Sequence, residues 1–429
     1  MRKPPVAVFT ATALALALTA GFGLGLVLLL ARTFALPLGD VSWLALVQAH
    51  GWIQLFGFVG LFVIGMGLHL LPRMRGAEPP KASLQYLIFG LTVVGVALRA
   101  LAQPLPSFPS RELALQIAAL GACGGTLLFA ITALRILASG HNPHRYDELV
   151  IGAGVIVLPI ATALAAYASL TAPSIVIAAD AEDRATWLML LGSIGTTIFG
   201  VWARLAPGFV AARPFAPRLL LSGAALWLVG SVGVAAAVPA AAAALAGGAL
   251  VVTVALGLWG PTIARQPLRS HARLTRVALR TAFAWAVIGS LVLLASRFAI
   301  LPTATSLTES AARHAFGLGF VTLAVYGVAA RALPSFLGRE LWNARVHLGT
   351  VIATNVAVAL RVVVQSFGLT AGIWDVALAL SGALAYGALI AFVINIVGSR
   401  RDRVAPSVSR GALPMVPSAS SEQLGRRRA

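Results

Sequence analysis

Two histidines open long apolar segments in this chain: His50 heads the stretch Ala49 to Arg75 (AHGWIQLFGFVGLFVIGMGLHLLPRMR), and His314 heads Arg313 to Arg339 (RHAFGLGFVTLAVYGVAARALPSFLGR). Imidazole nitrogens ligate transition metals, and haem iron takes axial imidazoles from opposite faces of its macrocycle. One histidine from each of two helices is therefore what a haem between helices requires. His69 lies nineteen residues beyond His50, about 28 Å along the same helix, and belongs to a different layer. Gly51, Gly57, Gly60, Gly317 and Gly319 leave room for a flat ring, as they would for plain helix packing. Arg99 and Arg361 are the cations that suit carboxylates such as haem propionates, and a charge at their depth is costly unless paired. Gln54 follows His50 by one helical turn and shares its face.

The elements that must position these residues repeat. With an offset of 262, Gly57 to Pro72 lies over Gly319 to Pro334 without a gap, and Val96-Ala97-Leu98-Arg99 lies over Val358-Ala359-Leu360-Arg361. Gln103 then falls on Gln365. A fainter copy, Gly192 to Pro207, matches the second at Gly192, Gly200, Val201, Ala203, Arg204 and Pro207. A fixed period of this kind marks a repeated structural unit.

Of 429 residues, 59% are hydrophobic and 10% charged, with a mean hydropathy of +0.91, which places the chain among integral membrane proteins. Windows able to cross about 30 Å of hydrocarbon fall near 7–31, 50–71, 83–103, 113–138, 149–171, 185–207, 218–238, 240–261, 275–300, 312–333, 346–367 and 372–397. The expected fold is all-α and integral to the membrane, with about twelve transmembrane helices. They fall into three pseudo-repeated four-helix units, 7–138, 149–261 and 275–397, within one domain spanning 1–398. The turn between the seventh and eighth windows, in the alanine run around Pro239, is the least marked.

Lys and Arg exceed Asp and Glu by nineteen, yet their placement argues against a nucleic-acid partner. Arg2, Lys3, Arg73, Arg75, Lys81, Arg145, Arg213, Arg265, Arg269, Arg273, Arg339 and Arg345 fall on one side with the C-terminal arginines. Arg32, Arg111, Arg184 and Arg313 fall on the other. Basic residues collect in the cytoplasm, so both termini are expected there and His50 and His314 near the outer surface. Residues 399–429 read as a disordered, basic cytoplasmic tail beside anionic lipid. The single Cys123 excludes an intrachain disulfide and a thiolate cluster.

A second layer of histidines is less telling. His69, Arg204 and Arg331 stand three residues before Pro72, Pro207 and Pro334, which reads as a positive helix end at the interface. A further haem or metal between His69 and His347 is the rival reading. His141, His144 and His271 lie in loops. No phosphate-binding loop, nucleophile elbow or His-Glu-x-x-His motif is present, so no catalytic centre is complete; if the chain is an enzyme, the haem reading makes it an oxidoreductase.

Twelve spans with histidines at the outer ends of the second and tenth resemble the subunit I fold of haem-copper oxidases. Within it, Arg313-His314-Ala315, Arg331 and Gly338-Arg339, together with Ala49-His50 and Phe56-Gly57-Phe58, are similar to the span-ten and span-two motifs of the NnrS family. That resemblance implies a haem- and copper-containing protein of the bacterial inner membrane, associated with resistance to nitric oxide. It implies haem b on His50 and His314, with nitric oxide or a redox partner as the other component and haem-based sensing, buffering or electron transfer as the role. The chain departs from the family pattern at Gln48, Gly51 and Trp52, where a second histidine and a glutamate are usual, and at Phe336, often a histidine. Trp187 to Pro207 and Arg218 to Val238 contain no histidine, so the copper ligands of an oxygen-reducing centre are missing. The alternative is a non-haem membrane transporter or assembly scaffold whose repeats serve packing alone, although almost no acidic residue lies at mid-depth to couple an ion.

Overall fold

The computed structural model describes residues 5–39, 41–172, 174–261, 263, 270–302, 305–336, 338–369 and 371–401. Twelve helices follow one another: α1 (Pro5–Phe34), α2 (Trp43–Arg75), α3 (Ala82–Ala102), α4 (Arg111–Ser139), α5 (Tyr146–Leu170), α6 (Ala179–Val210), α7 (Pro217–Ala235), α8 (Ala241–Ala255), α9 (Ala272–Arg297), α10 (Ser306–Phe336), α11 (Ala344–Ser366) and α12 (Ile373–Val397). Eleven are long and apolar enough to cross a bilayer, which makes this a multi-pass membrane protein. The exception is α8, whose 15 residues rise only about 22 Å. The window expected over 240–261 stops early because the chain turns at Leu256–Gly260, with Gly257 at φ +59°. A two-residue antiparallel ladder pairs Arg339 with Arg401 and Glu340 with Arg400. Apart from 399–401, the tail expected over 399–429 lies outside the described residues.

The repeated segments form the centre of the bundle. In α2, α6 and α10, 78% of the apolar stretch is buried, against 28–61% in the other spanning helices. Each of the three contains an eight-residue π-helical stretch: Ile53–Gly60, Leu188–Gly195 and Ala315–Thr322. The three stretches keep the register of the sequence repeat to the residue. A π turn displaces carbonyls from the α ladder, and in hydrocarbon those must be satisfied from within. The Thr322 hydroxyl donates to the Gly317 carbonyl at 2.9 Å, the Thr196 hydroxyl to Leu191 at 3.4 Å, and Trp227 Nε1 to the same Leu191 carbonyl at 2.9 Å.

The ends of the three helices that carry Pro72, Pro207 and Pro334 interlock in a cycle. Arg204 of α6 donates to the Met74 carbonyl of α2 at 3.2 Å, and Arg331 of α10 donates to the Phe209 carbonyl of α6 at 2.6 Å. The third link is aromatic, because the counterpart of those arginines in α2 is His69, whose ring lies 4.2 Å from that of Phe336 in α10. Met74, Phe209 and Phe336 are themselves repeat counterparts. Behind this cycle Arg75 is enclosed by Glu148 at 3.2 Å, the Gly140 carbonyl at 2.8 Å and the Asn142 carbonyl. His141 and His144 brace the same corner, reaching the Gly76 carbonyl at 2.9 Å and Glu148 at 3.5 Å.

Candidate functional site

His50 sits in the first half of α2, pressed against α1. Its Nδ1 lies 2.9 Å from the Gly21 carbonyl, and a carbonyl only accepts, so Nδ1 carries the proton and the Nε2 lone pair is left for other use. The ring needs Gly25: a Cβ there would stand 2.6 Å from His50 Cε1, which no ordinary packing tolerates. Gln54 lies over Gly21, its Oε1 3.2 Å from where a Cβ of that glycine would be. The glycines of α1 thus receive the histidine and its neighbour.

His314, in α10, repeats the arrangement with a partner on its own helix. Its Nδ1 donates to the Ser310 carbonyl at 2.7 Å, again leaving Nε2. The Ser310 hydroxyl accepts from Gln365 Nε2 of α11 at 3.2 Å. The counterpart contact in the first copy is Gln103 Nε2 to Gln48 Oε1 at 2.8 Å, and Gln48 is further held by Ile177 at 2.7 and 3.0 Å. Phe316, two residues past His314, meets Trp187 and Trp227 edge to face at 6.3 and 5.9 Å. Both histidines are deeply placed, and each is only partly covered.

The structure brings His50 and His314 together with Arg361. His314 lies within electrostatic reach of His50, and Arg361 acts on both. Arg361 in turn feels Arg32 at the end of α1, and Leu29 packs against Val364 one turn from each. Among the described residues no ion pair or hydrogen bond reaches Arg32 or Arg361, and the Arg361 Nε is buried without a partner.

Arg99 differs from its counterpart. It is buried, donates to Glu182 at 2.8 Å, to Gln103 at 3.2 Å and to the Ala165 carbonyl at 3.3 Å, and stacks 4.0 Å above the Trp52 ring. The next acidic residue in sequence, Asp183, takes Arg313 at 2.7 Å. The first turns of α6 therefore tether both histidine helices, through Arg99 on Trp52 and through Arg313 beside His314.

Of the glycines singled out from sequence, Gly57, Gly60 and Gly319 are closely packed, whereas a Cβ at Gly51 or Gly317 would meet nothing within 4 Å. His69 and His347 serve different places: His69 stacks on Phe336, and His347 is buried in the first turn of α11. Among the described residues no group of three or more His, Cys, Asp or Glu is arranged around a metal position. Two members of the site escaped sequence reasoning, Gly25 and Arg32. Gly25 could be taken for a packing glycine, and the only signal for Arg32 was its place among the few basic residues of its side.

Two imidazoles with uncommitted Nε2 lone pairs are donors of the type that transition metals take. Each histidine presents one nitrogen with its tautomer fixed by a backbone carbonyl, the pattern by which second-shell groups orient metal ligands. A protein-family model described as NnrS protein matches residues 6–401. No curated protein matches the chain.

Proposed function

The chain belongs to the NnrS family, and on that premise we propose that it is a haem-binding protein of the bacterial inner membrane, with haem b held between His50 and His314. The observation that carries this reading is the matched pair of imidazoles, each with Nδ1 donating to a carbonyl at 2.9 and 2.7 Å and Nε2 uncommitted, within electrostatic reach of each other and of Arg361. Bound haem would supply reversible one-electron chemistry. The protein's part is to fix both ligand rings, to leave open space at Gly51 and Gly317, and to offer Arg361 to the propionates, with Gln54 on the same face as His50. Arg99 serves the site through Trp52, whose neighbour but one is His50.

We place the activity in the response to nitric oxide or related stress, by sensing, buffering or relaying electrons. Two imidazole ligands saturate the iron and favour electron transfer over ligand chemistry. Copper, if it binds, takes ligands other than a histidine cluster, and His69 with His347 is the weaker location for a second metal.

We further read the helices as three four-helix units of the haem-copper oxidase subunit I type. The π stretches that keep the repeat register and the cycle Arg204–Met74, Arg331–Phe209 and His69–Phe336 support that reading. The crowd of arginines and lysines at the proline-bearing end supports cytoplasmic termini.

The test is haem content. Protein purified in detergent from haem-supplied cells should carry one haem b per chain by extraction and pyridine adduct. A folded but colourless protein would move the transporter or scaffold reading to the front.

A further inference from the structure

Arg99 and Arg361 are counterparts at the 262-residue offset, yet only Arg99 has a carboxylate. The reason lies in the central helices. Glu182, which takes Arg99 at 2.8 Å, has Glu309 as its counterpart in α10 and Val47 as its counterpart in α2. Glu309 is engaged by Arg297 at 2.8 Å and Arg313 at 3.5 Å. By the repeat register, Val47 takes the position from which a glutamate would answer Arg361 as Glu182 answers Arg99. Arg361 is left with its Nε buried and unpartnered, and a charge within its electrostatic reach is another cation, Arg32. Arg32 also lines a hollow with Ala31, Leu36, Leu38 and Trp43, so it is open to a ligand from the His50 end.

Arg32 is exposed at the end of α1 and Arg361 is partly covered on α11, their helices meeting at Leu29 and Val364, and like charges within reach of each other favour an anion between them. Their forked donors match carboxylates. We infer that Arg32 and Arg361 form a two-guanidinium cradle for a dicarboxylate, the propionate edge of the haem whose iron His50 and His314 ligate. This rests on the haem reading above and adds to it a residue, Arg32, and an orientation: the propionates face the ends of α1 and α11. Val47 is part of the device, since a carboxylate there would satisfy Arg361 internally.

The experiment compares binding of hemin and of hemin dimethyl ester, whose propionates are neutral, to haem-free full-length protein in detergent. Binding is followed by Soret absorbance and by the reduction potential of the bound haem. Wild type should prefer hemin by about tenfold or more, the scale of one charge-assisted hydrogen bond. Arg32→Gln and Val47→Glu should each reduce that preference toward unity while leaving ester binding and the low-spin spectrum intact, and Arg32→Lys should restore part of it. Equal binding of the two hemins by wild type, or an unchanged preference in both variants, overturns the cradle while leaving the histidine pair standing. If Arg32→Gln does not fold, Val47→Glu decides by the same criterion. Failure of wild type to bind either compound removes the cradle together with the haem reading. Succinate that protects wild type, but not Arg32→Gln, against heat in the absence of hemin would assign the cradle to a free dicarboxylate instead and overturn its assignment to haem.

Discussion

The guanidinium of Arg99 lies 4.0 Å from the centre of the Trp52 ring while donating to Glu182 at 2.8 Å. A cation held over an indole by a carboxylate from another helix fixes the stretch of α2 that carries His50, because Trp52 Nε1 also donates to the Val96 carbonyl at 3.0 Å. Glu182→Gln leaves a buried guanidinium without its counter-charge, and such losses cost about 3 kcal/mol or more. The variant should melt earlier in detergent, and Arg99→Met combined with Glu182→Gln should recover part of the loss. Equal melting temperatures for wild type and Glu182→Gln would show that the pair holds nothing in place.

Gly25 supplies a second test, on packing rather than charge. An alanine methyl would stand 2.6 Å from His50 Cε1, so Gly25→Ala must shift the ring or the helix. A high-spin fraction should then appear in the reduced absorption spectrum. Gly349→Ala, on an exposed face of α11 where an added Cβ meets nothing within 4 Å, is the control and should look like wild type. An unchanged spectrum in Gly25→Ala would mean that His50 does not need its present position.

The cycle at the opposite end predicts an asymmetry among counterparts. Arg204 and Arg331 each donate to the end of a neighbouring central helix, and a hydrogen bond from a charged group contributes about 1.5–3 kcal/mol. Arg204→Ala should therefore destabilise the bundle more than His69→Ala, which loses only a ring contact. His69→Ala should also retain its full haem content, because His69 lies in the layer away from His50. Loss of haem in His69→Ala, measured by the pyridine adduct, would relocate the site.

Much of this was legible in the sequence because membrane helices advertise themselves by length and composition, and because the repeat kept Arg, Gln and Pro in register. The 262-residue offset paired Gln103 with Gln365, and the structure gives each the same contact, to Gln48 and to Ser310. The same offset made Arg99 and Arg361 look alike, and here sequence reasoning ran out. What separates them is a residue on another helix, Glu182 against Val47, and a pairwise pattern within one segment does not reveal which helix stands beside it. Gly25 was unreadable for a related reason, since a glycine in an apolar helix accommodates any close neighbour and only the fold shows that the neighbour is His50. The eighth helix fell short because Leu256, Leu258 and Trp259 keep the turn apolar, so the window ran on to Gly260 and Pro261 although the helix stops before Gly257.

We propose His50 and His314 as the two axial ligands of one haem. The most direct measurement is the oxidised and dithionite-reduced absorption spectrum of the haem-supplied protein, run beside His50→Ala and His314→Ala. Wild type should show the sharp reduced bands of a low-spin b haem, and each variant should lose them or become high-spin. Low-spin bands that survive in both variants would contradict the assignment.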